Sequence, residues 1–277
     1  MASSELLRVR RRSQSKKDVN KAYENALRNY IVHYSCESFY DNTSGQSRRV
    51  TSIAVRNLDS AQTQSWSLHS SAELLGLQNQ IQANLDVIEK HLLSEYFTFL
   101  QNHADSTFIH WNMRDKSYGF PALEHRFKVL GGQPFILQDD RKLDLARVLI
   151  NLYGPGYAPH ICPNTGKRGR IMSLMEMNRI TSRDSLQGKE EADAFENGDF
   201  LKLDRSTLAK VDIFHNFFDR LHANKLKTNA TFSDKYGFKL AAIPELARDN
   251  PFIIAFIVSG GVIAALIKWW DAIKLIF

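Results

Sequence analysis

The sequence predicts an α/β protein, a mixed sheet of about five strands with flanking helices, followed by one C-terminal transmembrane helix. Three observations predict it. Strand-like runs at 30–36, 50–58 and 63–69 are joined by turn-forming residues, the pattern of an antiparallel meander. Short apolar strands then alternate with helical periodicity. Near the end, the seventeen residues from Pro251 to Ile267 carry no charge.

Size and charge bound the possibilities. The 277 residues suffice for a buried core even without the tail. The formal charge of +6 suits an anionic partner, either nucleic acid or a lipid surface. Two cysteines, Cys36 and Cys162, exclude a disulfide framework and a CxxC zinc signature and point to a reducing compartment. The polar, Arg-rich start lacks the apolar run of a secretory leader.

The elements follow in order. Residues 1–29 form a basic arm, read as a helix or a partly ordered leader, able to contact phosphates of nucleic acid or lipid, or simply solvated. After the meander, residues 72–102 carry leucines and isoleucines at helical spacing. A short strand at 107–113 follows, then a helix at 121–130 with Pro121 in its first turn and Gly131 and Gly132 at its end. Residues 135–137 read as a strand and 143–152 as a helix, with Asp144 complementing the dipole at its start. The stretch 154–170 is loop by composition. Its His160 and Cys162 are two metal-ligand types without a second pair, so an ordinary loop is the better reading. Helices are expected at 171–186, 190–197 and 207–225, then a linker at 229–250. Asp139, Asp140, Arg141 and Lys142 read as a solvated cluster, and His215 as a packed histidine among phenylalanines. The chain thus divides into the arm 1–29, a domain 30–228, the linker 229–250 and the membrane segment 251–277.

Three short motifs carry a resemblance. The first strand runs into Ser35, Cys36 and Glu37; after the next strand, His110 is followed by Trp111 and, five residues on, by Asp115; a late helix carries Asp212. In this order and setting the chain resembles DEDD-type 3′–5′ exonucleases, whose domains are ribonuclease-H-like. Glu37 matches the Glu of the first motif and Asp115 the Asp of the second, with Asp212 the candidate for the third. Ser35 stands where the family has an Asp that bridges two metal ions, and Trp111 replaces an Asn. A two-metal site needs several carboxylates to hold hard cations, and a serine hydroxyl carries no charge. The resemblance therefore implies a degenerate site (Ser35, Glu37, His110, Asp115, Asp212) without catalysis, metal or cofactor. Such a cleft would still grip a strand through Glu37, Phe39, His110, Trp111 and Tyr118, with Arg168 and Arg170 on phosphates. Against it stands the reading of Glu37, His110 and Asp115 as ordinary polar residues at strand ends.

The tail adds a membrane. Seventeen residues of helix lie near the short end of what spans a hydrocarbon core about 30 Å thick. Trp269 and Trp270 suit the interface and Lys268 can snorkel beside them. Ser259, Gly260, Gly261 and Ala265 form a small-residue face suited to helix association, and Asp271 falls near the far interface, where an oligomer could ring a pore mouth. A buried core helix and a simple anchor are the plainer alternatives. A degenerate nuclease domain joined to one span resembles the transmembrane effectors of bacterial anti-phage systems, most of all the Hailong type. That resemblance implies a homo-oligomeric inner-membrane channel with its soluble domain in the cytoplasm. A single-stranded DNA oligomer made by a nucleotidyltransferase partner would hold it closed. The alternatives are an active membrane-tethered nuclease using Mg²⁺ or Mn²⁺, and a tail-anchored adaptor. Raised activity in Ser35→Asp is expected of a degenerate site.

Overall fold

A computed structural model of the chain describes residues 2–37, 47–231, 234, 235 and 259. Its centre is a five-stranded mixed sheet ordered β3-β2-β1-β4-β5. The strands are β1 (Tyr30–Cys36), β2 (Val50–Asn57), β3 (Thr63–Ser67), β4 (Phe108–His110) and β5 (Lys142–Asp144). The first three form the expected antiparallel meander, with Tyr34 opposite Ile53 and Ile53 opposite Trp66. β4 and β5 run parallel to β1. Parallel neighbours need crossovers, and helices supply them.

Eight helices are described: α1 (Ala2–Glu24), α2 (Leu68–Leu74), α3 (Leu85–Asn102), α4 (Phe120–Val129), α5 (Leu145–Tyr153), α6 (Arg170–Met177), α7 (Gly188–Glu196) and α8 (Phe200–His222). They cover both sheet faces, and β1 shows how. Successive side chains alternate faces in a strand. Val32, Tyr34 and Cys36 share a core with Ile88, Leu92, Leu93 and Tyr96 of α3 and Leu123 of α4. Ile31 joins the opposite core with Leu149 of α5, Phe214, Phe217 and Phe218 of α8, and Val19 and Ala22 of α1. Both faces of β1 are dry, which explains its nearly continuous apolar run.

Several expectations change. The helix expected over 72–102 is two. A reciprocal Ser67–Ser70 capping box starts α2. Gly76 then takes φ +69°, and 77–84 is a series of turns before α3. Leu77 and Ile81 mimic helical spacing because both pack on the core from these turns. The third strand ends at Ser67, since the capping box claims the next turn. No strand forms at 135–137; the fifth strand is Lys142–Asp144. Leu137 is buried without a ladder partner, so burial alone made it look like a strand. The helix expected over 171–186 stops at Met177, where Arg179 takes φ +54° and the Asn178 side chain bonds Leu174 and Lys227 instead. The basic arm is α1, and it is not a solvated tail. Val19, Ala22 and Arg12 are buried, and the Arg12 guanidinium donates to the Leu152 carbonyl.

One polar hub ties the first core together. Glu89 of α3 is fully buried. It accepts from Arg126 Nε and Nη2 at 2.8 and 2.6 Å, from Arg49 Nη1 at 2.8 Å and from the Val50 amide at 2.7 Å. Four donors satisfy a carboxylate that has lost its water. Removing one side of such a buried pair costs about 3–5 kcal/mol. Glu89→Ala is expected to cost that much in urea unfolding of the full chain followed by fluorescence. Asp86→Ala, on the exposed edge of the same cluster, should cost less than about 1 kcal/mol. Equal losses would remove Glu89 from its role as hub.

Candidate functional site, a buried polar seam beside β1

α8 meets the sheet through a stripe at helical spacing: Leu203, Thr207, Lys210, Phe214, Phe217 and Leu221. Two of its members are polar, and so are the residues they face. Ser35 on β1 is fully buried. Its hydroxyl donates to Glu191 Oε1 of α7 at 3.0 Å and lies 2.9 Å from Thr207 Oγ1. Glu191 is also fully buried, and its Oε1 accepts from Lys210 Nζ at 2.6 Å and Ser206 Oγ at 2.9 Å. A second layer links Ser52 of β2 to Asp204, 3.3 Å apart, and burial lifts the Asp204 carboxyl above its ordinary value. The register between β1 and β2 shifts beside Ser35: Ser35 pairs with Ser52, but Cys36 pairs with Val50.

His33 completes the seam. It is buried on the same face of β1 as Ser35, against the Phe214 ring. Burial, then the Lys210 charge, hold its pKa well below that of free histidine. The Tyr118 hydroxyl donates to the Tyr34 carbonyl at 3.1 Å and lies 3.2 Å from His33 Nδ1. His33 Nε2 and Glu191 Oε2 are buried and unpaired. Tyr118 is set by the turn before α4. Gly119 takes φ +151°, where a Cβ would stand 2.4 Å from the Met113 carbonyl carbon, and its amide donates to the Tyr34 hydroxyl at 2.9 Å.

Around Ser35 the cluster pairs one ammonium with one carboxylate, beside hydroxyls and an uncharged imidazole, with the Asp204 carboxyl in the second layer. Lys210 supplies a fixed cation that pairs Glu191 internally. Among the described residues, no group of three or more His, Cys, Asp or Glu side chains converges.

Most residues expected at the site do not meet. Ser35 lies in the seam, and Tyr118 reaches its edge through His33. Glu37, at the strand end, accepts from the Arg49 amide at 3.1 Å. Asp212 is half exposed and pairs with Arg56 Nη2 at 3.2 Å, because it lies one residue off the buried stripe. Asp115 is exposed and closes an Asx turn on Ser117, whose two hydrogen bonds hold its carboxyl below the usual range. His110 is buried at the end of β4, paired in register with Asp144 of β5. Its Nδ1 accepts from the Met113 amide at 3.0 Å. Burial lowers its pKa to about 4, against the opposing pull of Asp144. Asp144 caps α5 as expected, through the Ala146 and Arg147 amides, and pairs with Arg114. Trp111 stacks on Phe214 and Tyr118 on Tyr34, so both rings are engaged inside the protein. Arg168 is exposed on a loop, and Arg170 lies over the Tyr157 ring. Phe39 lies outside the described residues, as do Gly260, Gly261, Ala265, Lys268, Trp269, Trp270 and Asp271; Ser259 is exposed. Among the described residues, no helix is long and apolar enough to cross a membrane.

Sequence reasoning missed His33, Glu191, Thr207 and Lys210. Lys210 had a signal, since it occupies a core position of an otherwise apolar stripe. Glu191 had none, sitting beside exposed Lys189 and Glu190. Comparison with family models, with curated proteins and with solved structures finds no match to this chain.

Lys210→Met is expected to cost about 3–5 kcal/mol, because it strands a buried carboxylate. The double variant Glu191→Gln with Lys210→Met should recover much of that loss. A chemical-denaturation cycle measures the coupling, and additive losses would deny the pair. A second outcome concerns pH. The folded pKa of His110 lies below its unfolded value of 6.5, so the unfolded chain takes up the proton first. Stability is full above 6.5 and falls as pH drops to about 4, by about 3 kcal/mol for this residue. Replacing His110 with Asn should flatten the profile measured by urea titration.

Proposed function

We propose that this chain is a non-hydrolytic strand-binding regulator attached to a membrane. Its domain is ribonuclease-H-like and degenerate, it holds single-stranded DNA oligomers, and the DNA controls an oligomeric channel or pore built from the C-terminal segments. The supporting observation is the seam. Ser35 occupies the first-motif position of the exonuclease resemblance, and its partners are Thr207 and the internally paired Glu191 and Lys210. A two-metal reaction needs carboxylates that clamp cations about 3.5–4 Å apart. An ammonium bonded to Glu191 offsets that carboxylate's charge from within the protein and weakens its pull on a cation. The strand order, with an antiparallel meander and two parallel strands beyond β1, supports the ribonuclease-H-like part of the reading.

The membrane part rests on the uncharged run 251–267 with Trp269 and Trp270 after it. Bacterial inner-membrane residence, a cytoplasmic domain, self-association and a nucleotidyltransferase that makes the ligand belong to the same anti-phage reading. For DNA to control such a channel it must bind the closed form better than the open one. The nuclease alternative draws no support from the placement of Glu37, Asp115 and Asp212, which point to three different partners.

The test uses the full chain in mild detergent with end-labelled single-stranded DNA, once in EDTA and once with Mg²⁺ or Mn²⁺. Binding in EDTA with no shortening in metal is expected. Ser35→Asp alone should not produce activity, because the new carboxylate would stand beside Glu191, whose charge Lys210 already takes up inside a buried cluster. The seam thus reverses the outcome expected from the sequence. Strand shortening by the native chain would hand the reading to the enzyme alternative.

A further inference from the structure

The seam is closed: its hydroxyls, carboxylate and ammonium are buried, and Trp111 and Tyr118 stack internally. A strand must therefore meet the protein elsewhere. Exposed, uncommitted positive charge lies on α1. One side of this helix buries Val19 and Ala22. The other exposes Arg10, Lys17 and Lys21. With a rise of about 1.5 Å per residue these lie roughly 10 and 6 Å apart along one face. None of the three has an ion-pair partner among the described residues. Of the carboxylates near them on the helix, Asp18 accepts from Gln14 at 2.8 Å and Glu24 stands at the C-terminal end.

Beside this face runs a groove of about 650 Å³, bounded by α1 and the C-terminal ends of α5 and α8. Its walls include Lys16, Lys17, Asn20, His222 and Asn224, with no aspartate or glutamate among its lining residues. The exposed ring of His222 lies face to face with Tyr23, at 3.9 Å between centroids and 11° between planes. Tyr23 is stacked in turn with buried Phe218, at 5.5 Å and 9°, and its hydroxyl is tied to Asp219. A ring fixed in this way offers a surface on which a base can stack.

We infer that the strand-binding site of this chain is the groove between α1 and the C-terminal end of α8, with Lys17 and Lys21 on backbone phosphates and His222 as a stacking platform. The inference rests on the strand-binding reading above and moves its site away from Ser35 and from Arg168 and Arg170. Single-stranded nucleic acid is recognised by a positive groove that tracks the backbone together with rings on which bases stack. Lys17 and His222 both line this groove, and Lys21 follows about one turn on along the same exposed face of α1. A bilayer would use the cations but has no need of a concave wall or an exposed, backed ring.

The test measures anisotropy of a labelled oligothymidylate of about 16 nucleotides, near the upper site size of single-strand-binding folds. The full chain is compared with a Lys17→Ala, Lys21→Ala double variant, with His222→Ala and His222→Trp, and with Arg168→Ala as control. All these positions are exposed, so circular dichroism should be unchanged. The double variant should weaken binding at least about tenfold and reduce the slope of log affinity against log salt by about 1.4, two contacts at about 0.7 each. His222→Ala should weaken binding roughly tenfold at unchanged salt slope, and His222→Trp should restore it. Arg168→Ala should bind as the native chain does. If the native chain binds and the groove variants bind equally well, the groove is overturned while strand binding stands. If the native chain does not bind, both fall. Vesicles of phosphatidylcholine and phosphatidylserine form the last arm. Loss of vesicle binding in the lysine variant with DNA binding intact would give the face to lipid and overturn the inference.

Discussion

An ammonium removed from water must find a carboxylate, and Lys210 finds Glu191 at 2.6 Å between α8, α7 and β1. This pair fixes how α8, a helix of 23 residues, lies on the sheet. Lys210 stands in the middle of the stripe whose other members are Leu203, Phe214 and Phe217. Burying a charge at that position is tolerable only because Glu191 Oε1 collects Ser35, Ser206 and Lys210 together. The hydroxyls flanking the pair are consequences of it. An apolar Ser35 or Thr207 would leave the carboxylate short of donors or replace a polar contact with a void.

The same helix carries the seam's constraint to the rest of the molecule. Beyond Lys210, Phe214 meets His33 and Trp111, and Phe218 meets Tyr23 of α1. α1 then packs over α5, where Arg12 reaches the Leu152 carbonyl and Ser15 receives a hydrogen bond from Asn151 at 2.9 Å. A basic arm is thereby converted into a wall of the domain. Its cations divide by helical geometry: Arg12 is buried with the apolar side, while Arg10, Lys17 and Lys21 remain in water. The first core is fastened independently by Glu89 with Arg49 and Arg126, so the two sheet faces each carry one buried charge cluster.

The meander, α4, α5 and much of α8 were legible because their apolar periods and breakers agree with the packing they adopt. Leu77 and Ile81 defeated the period argument because turns can deliver side chains to a core at helical-looking intervals. Leu137 defeated the strand argument because burial does not require a ladder. At the site, Ser35 was legible as a missing charge, but its replacements were not. Glu191 lies 156 residues away in sequence, and nothing local distinguishes it from its exposed neighbour Glu190. Asp212 was chosen for being acidic on the right helix, whereas the helical phase selects Thr207 and Lys210 for the sheet side. Phase, rather than residue type, was the information to weigh.

The two charge clusters bear on what a polyanion can do here. A carboxylate-lined cleft repels phosphate until metal ions occupy it, so affinity for a strand and readiness to cut it arrive together. On the strand-binding proposal, a closed seam in place of that cleft would separate the two. Affinity then depends on cations that are always present, and it varies with salt instead of with divalent metal. The distribution of charge in this chain follows that logic. The formal excess of six positive charges has free representatives on the outer face of α1, while Lys210 pairs Glu191 inside the seam. On the strand-binding proposal, such a domain would hold a strand for as long as the strand exists, and would report the integrity of the strand rather than hydrolyse it.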